Sequence, residues 1–344
     1  MNILKDQLLT HKSFLKLTSE NTSKLENKLS VEDNDLLITL HDNGILSIEP
    51  KAAGNLDIII SSGIHGNETA PIEICDDLVN RILNGQVIVR NRVLFIIGNP
   101  PAMDQGERFI KENLNRLFCN KHAEVDHDEA DRAATIEAVT RNFYTNSVKQ
   151  SAGSKERCHF DLHTAIRTSK YEKFAIYPYQ DGGQFNHRYI NFFEHSKINT
   201  LLLAHQPSST YSYFTSHEFN ANAFTVELGQ VKPFGENDMN AFSGIMDNLE
   251  ALISGNYQWN EDSNHQTMNL FQVDDEVLRH SEANFSLNID ADFSNFTEFP
   301  IGFQLTTDDN DGYKFKQSGQ AVVFPNAKVP TGQRVALIVS KTTT

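Results

Sequence analysis

The sequence predicts an α/β protein in two parts: a mixed sheet covered by helices on both faces, then a small C-terminal all-β domain. Three observations carry this expectation. Strand-like and helix-like segments alternate over most of the chain, the pattern of a largely parallel or mixed sheet. Runs such as "LDIIISSG" and "RVLFIIGNP" hold unbroken apolar stretches, as strands buried on both faces do. Near residue 260 the texture changes to short strand-like runs parted by Asp, Asn, Gly and Pro. The expected division is 1–258 for the first domain and 259–344 for the second.

Taken in order, residues 1–30 read as a polar, amphipathic and helical segment. "DLLITLHDNGILSIEP" holds two short strands joined at Asp42-Asn43-Gly44, a hairpin signal. "LDIIISSG" is a buried strand that ends in Ser and Gly. "APIEICDDLVNRILNG" follows with helical spacing of Ile72, Leu78, Val79, Ile82 and Leu83, and Gly85 as its stop. "RVLFIIGNP" is the next strand. "DHDEADRAATIEAVTRNFYTN" is an Ala-rich helix with acidic residues in its first turn, where the helix dipole favours them. "CHFDLHTA" and "KFAIYP" are strands, "NHRYINFFEHS" a helix, "TLLLAH" and "AFTVELG" strands, and "NDMNAFSGIMDNLEALISG" the closing helix. "NYQWNEDSNHQ" is a polar linker. Beyond it "NLFQVDDEVL", "FSLNI", "FQLTT", "YKFK", "QAVVFP" and "RVALIV" supply the second domain.

The chain has 344 residues, ample for a hydrophobic core. Its formal net charge of −15 argues against nucleic acid and anionic membrane as partners. A small anionic substrate remains compatible if local arginines override the global field. Cys75, Cys119 and Cys158 form no CxxC pair, which argues for inert thiols in a reducing compartment. The first twenty residues carry no apolar signal core, and no run approaches a membrane span. The expectation is a cytoplasmic protein, monomeric or homodimeric.

Ligands of open α/β sheets sit beyond the carboxyl ends of the strands. Three such ends carry unusual residues: "SSGIHGNE" with His65 and Glu68, "HFDLHTA" with Asp161 and His163, and "FTVELG" with Glu227. Two His and one carboxylate make a ligand set suited to catalytic zinc, with a fourth position for water. A further carboxylate could act as general base. His122, His127, His159, His205 and His217 rank lower because none shares this context. The irregular segment "GNPPAMDQGERFIKENLNRLF" adds Arg108, Asn115 and Arg116. An arginine fork can bind a carboxylate or polarise a carbonyl. Arg116 lies between Leu114 and Leu117, so the backbone there must be pinned. Asp161, two residues before His163 on a strand, could take the outer N–H of that histidine.

"HGNE", "RFIKENLNRLF", "DLHTA" and "TVELG", in that order, resemble the zinc carboxypeptidase superfamily, and within it the succinylglutamate desuccinylase/aspartoacylase branch. The tail "VVFPNAKVPTGQRVALIV" is similar to the C-terminal domain of that branch. The resemblance implies a zinc-carboxypeptidase-like fold and one Zn2+ per subunit held by His65, Glu68 and His163. It implies Glu227 as general base and proton donor, Arg108 on the scissile carbonyl, and Asn115 and Arg116 on a substrate carboxylate. It implies hydrolysis of an N-acyl amino acid, in the closest form N-succinyl-L-glutamate to succinate and L-glutamate, the last step of arginine breakdown by the succinyltransferase route. A related deacylase or a metallocarboxypeptidase is the alternative. The chain departs from the branch in two places. Asn113 stands where Asp is usual. No Arg precedes Glu227 in "FTSHEFNANAFTVELG", which argues against N-acetylaspartate and leaves a second carboxylate clamp to be found among Arg167, Lys170 and Lys173.

Overall fold

The structure, a computed structural model, describes residues 10, 13–21, 28–33, 35–150, 155–180, 185–260, 267–290, 292–309 and 311–343, without the side chains of 147–150. A short helix α1 (Phe14–Glu20) is capped by Ser13, whose side chain accepts the Lys16 N–H. Three antiparallel strands follow, β1 (Leu29–Asp33), β2 (Leu36–Asp42) and β3 (Ile45–Pro50). The expected hairpin is therefore present between β2 and β3. The helix expected over residues 1–30 is reduced, among the described residues, to α1, and its last two positions begin β1; the rest lies outside the described residues.

The central part of the fold is built from β4 (Leu56–Ser62), α2 (Thr69–Leu83), β5 (Arg92–Ile97), α3 (Pro100–Gln105) and α4 (Asp128–Gln150). It continues with β6 (Glu156–Ala165), β7 (Phe174–Tyr177), α5 (His187–His195), β8 (Thr200–Leu203), α6 (Tyr211–Phe219), β9 (Asn222–Gln230) and α7 (Ser243–Ile253). The C-terminal part holds β10 (Asn269–Leu278), β11 (Ser286–Leu287), β12 (Thr297–Glu298), β13 (Thr306–Thr307), β14 (Ala321–Val323) and β15 (Arg334–Lys341). The described strands form one mixed sheet in the order β1-β2-β3-β5-β4-β6-β9-β7-β8-β10-β15-β14-β12. Among the described residues no helix is long and apolar enough to cross a membrane.

Strand β4 is buried at every position, because helices cover both faces. Ile58 and Ile60 pack into a core that includes Ile74 and Leu78 of α2, whereas Ile59 packs with Leu114, Phe118, Tyr211 and Phe214 on the other side. Each such isoleucine contributes about 1.5–3 kcal/mol by leaving water. The strand order turns at β4, which pairs in parallel with β5 on one side and β6 on the other. That is a topological switch point, where the crevice of an open sheet opens.

Three elements differ from expectation. Helix α6 has no amphipathic stripe, since Tyr211 through Ser216 are all buried. A helix surrounded by protein shows no apolar period in its sequence. Strand β10 pairs in parallel with β8 and antiparallel with β15, so the C-terminal strands continue the first sheet. "YKFK" forms only an isolated bridge through Lys314, because Tyr313 and Phe315 turn into an aromatic cluster with Phe299 and Phe303.

Candidate metal and catalytic site

Strand register assembles the site. Ser61 lies opposite Asp161 across β4 and β6, and His163 lies opposite Glu227 across β6 and β9. Paired positions point to the same face, as do positions two apart on a strand. Ser61, Asp161, His163 and Glu227 are therefore brought to one face by backbone pairing alone. After β4 the chain turns at Gly63, whose φ of +58° is costly for other residues. Gly66 is needed for a different reason: a Cβ there would meet backbone atoms of Ala102 and Met103 at 2.2 Å. The loop thus packs directly on α3, with His65 and Glu68 aimed inward.

Both histidines turn Nδ1 toward Glu68. His65 Nδ1 is 2.8 Å from Glu68 Oε1, and His163 Nδ1 is 2.9 Å from Oε2. Oε2 also accepts the Thr164 N–H at 3.1 Å, and Oε1 accepts from Arg108 Nη1 at 2.7 Å. The outer nitrogens have acceptors of their own: His163 Nε2 lies 3.0 Å from Asp161 Oδ2, and His65 Nε2 lies 3.0 Å from Asn113 Oδ1. Such second contacts keep the proton on Nε2 and leave Nδ1 to act as a ligand. Ligand atoms of His65, Glu68 and His163 lie within 4.8 Å of one another, and all three residues are buried. The donor chemistry, two imidazole nitrogens and a carboxylate converging with their outer atoms satisfied, fits a metal ion.

The electrostatics set these groups apart, and without a cation the His163 ring is held charged between Asp161 and Glu68. Burial pushes His65 down to about 4, so its imidazole is neutral near pH 7. Burial also disfavours charge on His163, but Asp161 and Glu68 outweigh it and hold the group well above its ordinary value. Glu68 is held well below the carboxylate range, because His65 and His163 outweigh the cost of burial. Glu227 differs. Its Oε2 is buried without a hydrogen-bond partner, and burial, opposed by His163 and aided by Glu68, pushes its carboxyl up to about 7.

The Arg108 segment is pinned by one carboxylate from α4. Glu129 accepts the backbone N–H groups of Ile110, Lys111 and Glu112 at 2.6–2.8 Å, and Asn99 Nδ2 at 3.0 Å. Those donors outweigh burial and hold Glu129 below its ordinary value. Asn113 caps the short turn Leu114–Arg116, where its Oδ1 accepts the Asn115 N–H at 3.0 Å while also facing His65. One amide oxygen therefore ties the metal-facing loop to the turn that carries Arg116. Asn keeps the acceptor role at this position without the charge. Asn115 is buried; its Oδ1 accepts the Tyr211 N–H at 3.0 Å, and its Nδ2 lies 3.4 Å from His163 Nε2.

Arg116 is solvent-accessible. Desolvation, then the charges of Arg334 and Arg108, push it down to about 10. Arg334 opens β15 and pairs with Glu276 of β10 at 3.4 Å. Strand β10 pairs with β8 and with β15, so Glu276 and Arg334 belong to the C-terminal strands that continue the sheet. Sequence reading missed Arg334, whose charge acts on Arg116. The expected second-clamp residues include two engaged elsewhere: Lys170 faces Glu298 at 3.5 Å, and Lys173 donates to the Ala241 carbonyl. Among the lower-ranked histidines, His122 and His127 face Glu137 and Glu112 away from the cluster.

Residues 55–253 match the succinylglutamate desuccinylase/aspartoacylase catalytic domain, and residues 266–342 match the AstE/AspA barrel-sandwich hybrid domain. The chain is 42% identical to a succinylglutamate desuccinylase of Pseudoalteromonas atlantica over 97% of this chain and 98% of that protein. It is also similar to crystal structures of succinylglutamate desuccinylases from Vibrio cholerae and Chromobacterium violaceum. The first has a TM-score of 0.85 at 32% identity, covering 96% of this chain and 95% of that one. The second has a TM-score of 0.83 at 32% identity, covering 96% and 98%.

Proposed function

We propose, from the premise that the chain belongs to the succinylglutamate desuccinylase/aspartoacylase family, that it hydrolyses N-succinyl-L-glutamate to succinate and L-glutamate. It is a hydrolase acting on an amide bond. The observation that carries the reading is the convergence of His65 Nδ1, His163 Nδ1 and Glu68 beside a buried, unpartnered Glu227. His65, Glu68 and His163 would hold one zinc ion, the metal that takes two His and one carboxylate in catalytic sites. Bound there, zinc supplies Lewis acidity, polarising a carbonyl and lowering the pKa of water toward about 7.

The rest is work for the protein's own side chains. Glu227, poised near neutrality, takes a proton from the attacking water and returns it to the glutamate nitrogen as the C–N bond breaks. Arg108, part-exposed beside Glu68, offers its remaining N–H groups to the acyl oxygen as charge develops there. The substrate carries three carboxylates, and Arg108, Arg116 and Arg334 form the cationic wall that meets them in an otherwise acidic protein. Asn115 adds its Nδ2 as a neutral donor. Asp161 holds His163. The free thiols Cys75, Cys119 and Cys158 support a cytoplasmic location, where the arginine-derived substrate would be met.

The test is a substrate panel. Zinc-loaded protein should release succinate from N-succinyl-L-glutamate faster than it cleaves N-acetyl-L-aspartate or a blocked peptide. Fastest turnover of either competitor would overturn the assignment.

A further inference from the structure

We infer that Ser61 and His159, which do not face the metal-ligand cluster, are positioning residues for it: through Asp161 they fix which nitrogen of His163 is offered to the cation. This rests on the metal reading above and extends it two residues outward. Asp161 Oδ2 faces His163 Nε2 at 3.0 Å, and Asp161 Oδ1 accepts from Ser61 Oγ at 2.5 Å. Ser61 Oγ lies 2.8 Å from His159 Nε2, and His159 Nδ1 lies 2.8 Å from Thr215 Oγ1. Ser61, Asp161, His159 and Thr215 are each fully buried, so water cannot substitute for a lost partner.

Proton counting gives the chain a direction. A serine hydroxyl has one proton, and at 2.5 Å it is committed to the Asp161 carboxylate. The Ser61–His159 contact must then use the proton of His159 Nε2. Burial pushes the His159 imidazolium down to about 4, so the ring is neutral and its Nδ1 is an acceptor. Thr215 supplies the proton for that end, although its hydroxyl also lies 3.0 Å from the Ser212 carbonyl, which makes the outer link the loosest. Every hydrogen bond therefore points toward Asp161: Thr215 to His159, His159 to Ser61, Ser61 to Asp161. With Oδ1 filled, Asp161 presents Oδ2 to His163 Nε2–H, and Nδ1 is left facing Glu68. Asn115 Nδ2, 3.4 Å from the same Nε2, is the longer contact and does not compete. The reverse polarity would leave the carboxylate against a lone pair. His65 has no equivalent chain, since the neutral Asn113 amide braces it alone.

The test uses the purified full chain and reads zinc affinity by competition with a chromophoric chelator. Ser61→Ala removes the hydroxyl, and His159→Leu removes the N–H at similar volume. Both should weaken zinc by about 10–100-fold, the range for lost outer-shell partners, with the circular dichroism spectrum retained. His159→Gln keeps an N–H donor near the Nε2 position and should restore most of the affinity. Nitrogen-15 NMR of labelled histidine should find His159 as the Nε2–H tautomer. Wild-type affinity in both Ser61→Ala and His159→Leu would overturn the inference, as would an Nδ1–H tautomer at His159. Should Ser61→Ala fail to fold, the His159→Leu and His159→Gln pair decides alone. A wild-type chain with no stoichiometric metal would overturn the metal reading too, whereas tight wild-type binding with unaffected variants would overturn this inference only.

Discussion

Two buried charged clusters stand at opposite ends of the same strands. At the amino end, Asp57 of β4 faces Arg92 of β5 at 3.2 Å and Lys155, just before β6, at 3.7 Å; Arg92 also binds Glu49 at 2.7 Å. At the carboxyl end stand Glu68, His65, His163, Asp161 and Glu227. Both clusters are removed from water, and both must offset the same desolvation cost. They do so differently. The amino end matches fixed positive charges to carboxylates. The carboxyl end uses histidines and carboxylates whose affinities for protons are pulled apart. The first arrangement holds strands together; the second can bind a cation and move a proton.

The largest expected effect falls on the unpartnered group. Glu227→Gln should keep its metal but lose about 10²–10⁴-fold in kcat, the usual share of a general acid–base. Near-normal turnover would mean the base lies elsewhere. His65→Ala should lose both metal and turnover, which elemental analysis separates from the first case. At the other end, Asp57→Ala leaves Arg92 and Lys155 buried without it and should cost about 3–5 kcal/mol of stability. Denaturant unfolding measures that cost, and KM in the folded protein should not move. A changed KM would erase the distinction between the two ends.

Smaller effects sharpen the picture. Arg334→Ala should raise KM for N-succinyl-L-glutamate about tenfold with less change in kcat, as expected for a lost charge-assisted contact. An unaltered saturation curve would remove Arg334 from the cationic wall. The pH profile follows from Glu227, whose carboxyl burial raises from 4.5 to about 7. Catalysis needs the carboxylate, so kcat/KM should fall as pH drops through this group's titration. A bound cation favours the carboxylate and moves that acid limb lower, below 7. For the metal-free chain the same shift acts on stability in the opposite sense. A raised carboxyl contributes stability below its unfolded value that is lost as pH rises through 7, so Glu227→Gln should stabilise the metal-free protein at neutral pH.

Much of the carboxyl end was legible in the sequence because each reactive residue closes an apolar strand. His65, Glu68, His163 and Glu227 stand at three strand ends, which the pairing of β4 with β6 and of β6 with β9 unites. The apolar frame of Arg116 correctly implied a pinned loop, although nothing pointed to Glu129 as the pin. Other parts were illegible for physical reasons. Ser61 and His159 look like ordinary strand residues, and only the parallel register of β4 and β6 sets them around Asp161. Thr215 sits on a helix that is buried all round, so no periodicity announced it. Arg334, whose charge acts on Arg116, sits on β15 and joins the sheet through β10, a pairing between distant segments that local patterns do not encode.

The central claim, that the carboxyl-end cluster is a metal-dependent desuccinylase site, is tested most directly by succinate release from N-succinyl-L-glutamate before chelation, after chelation, and after zinc is restored. The account predicts that chelation abolishes turnover and that about one zinc per chain restores it. Turnover that persists in the chelated protein would contradict it.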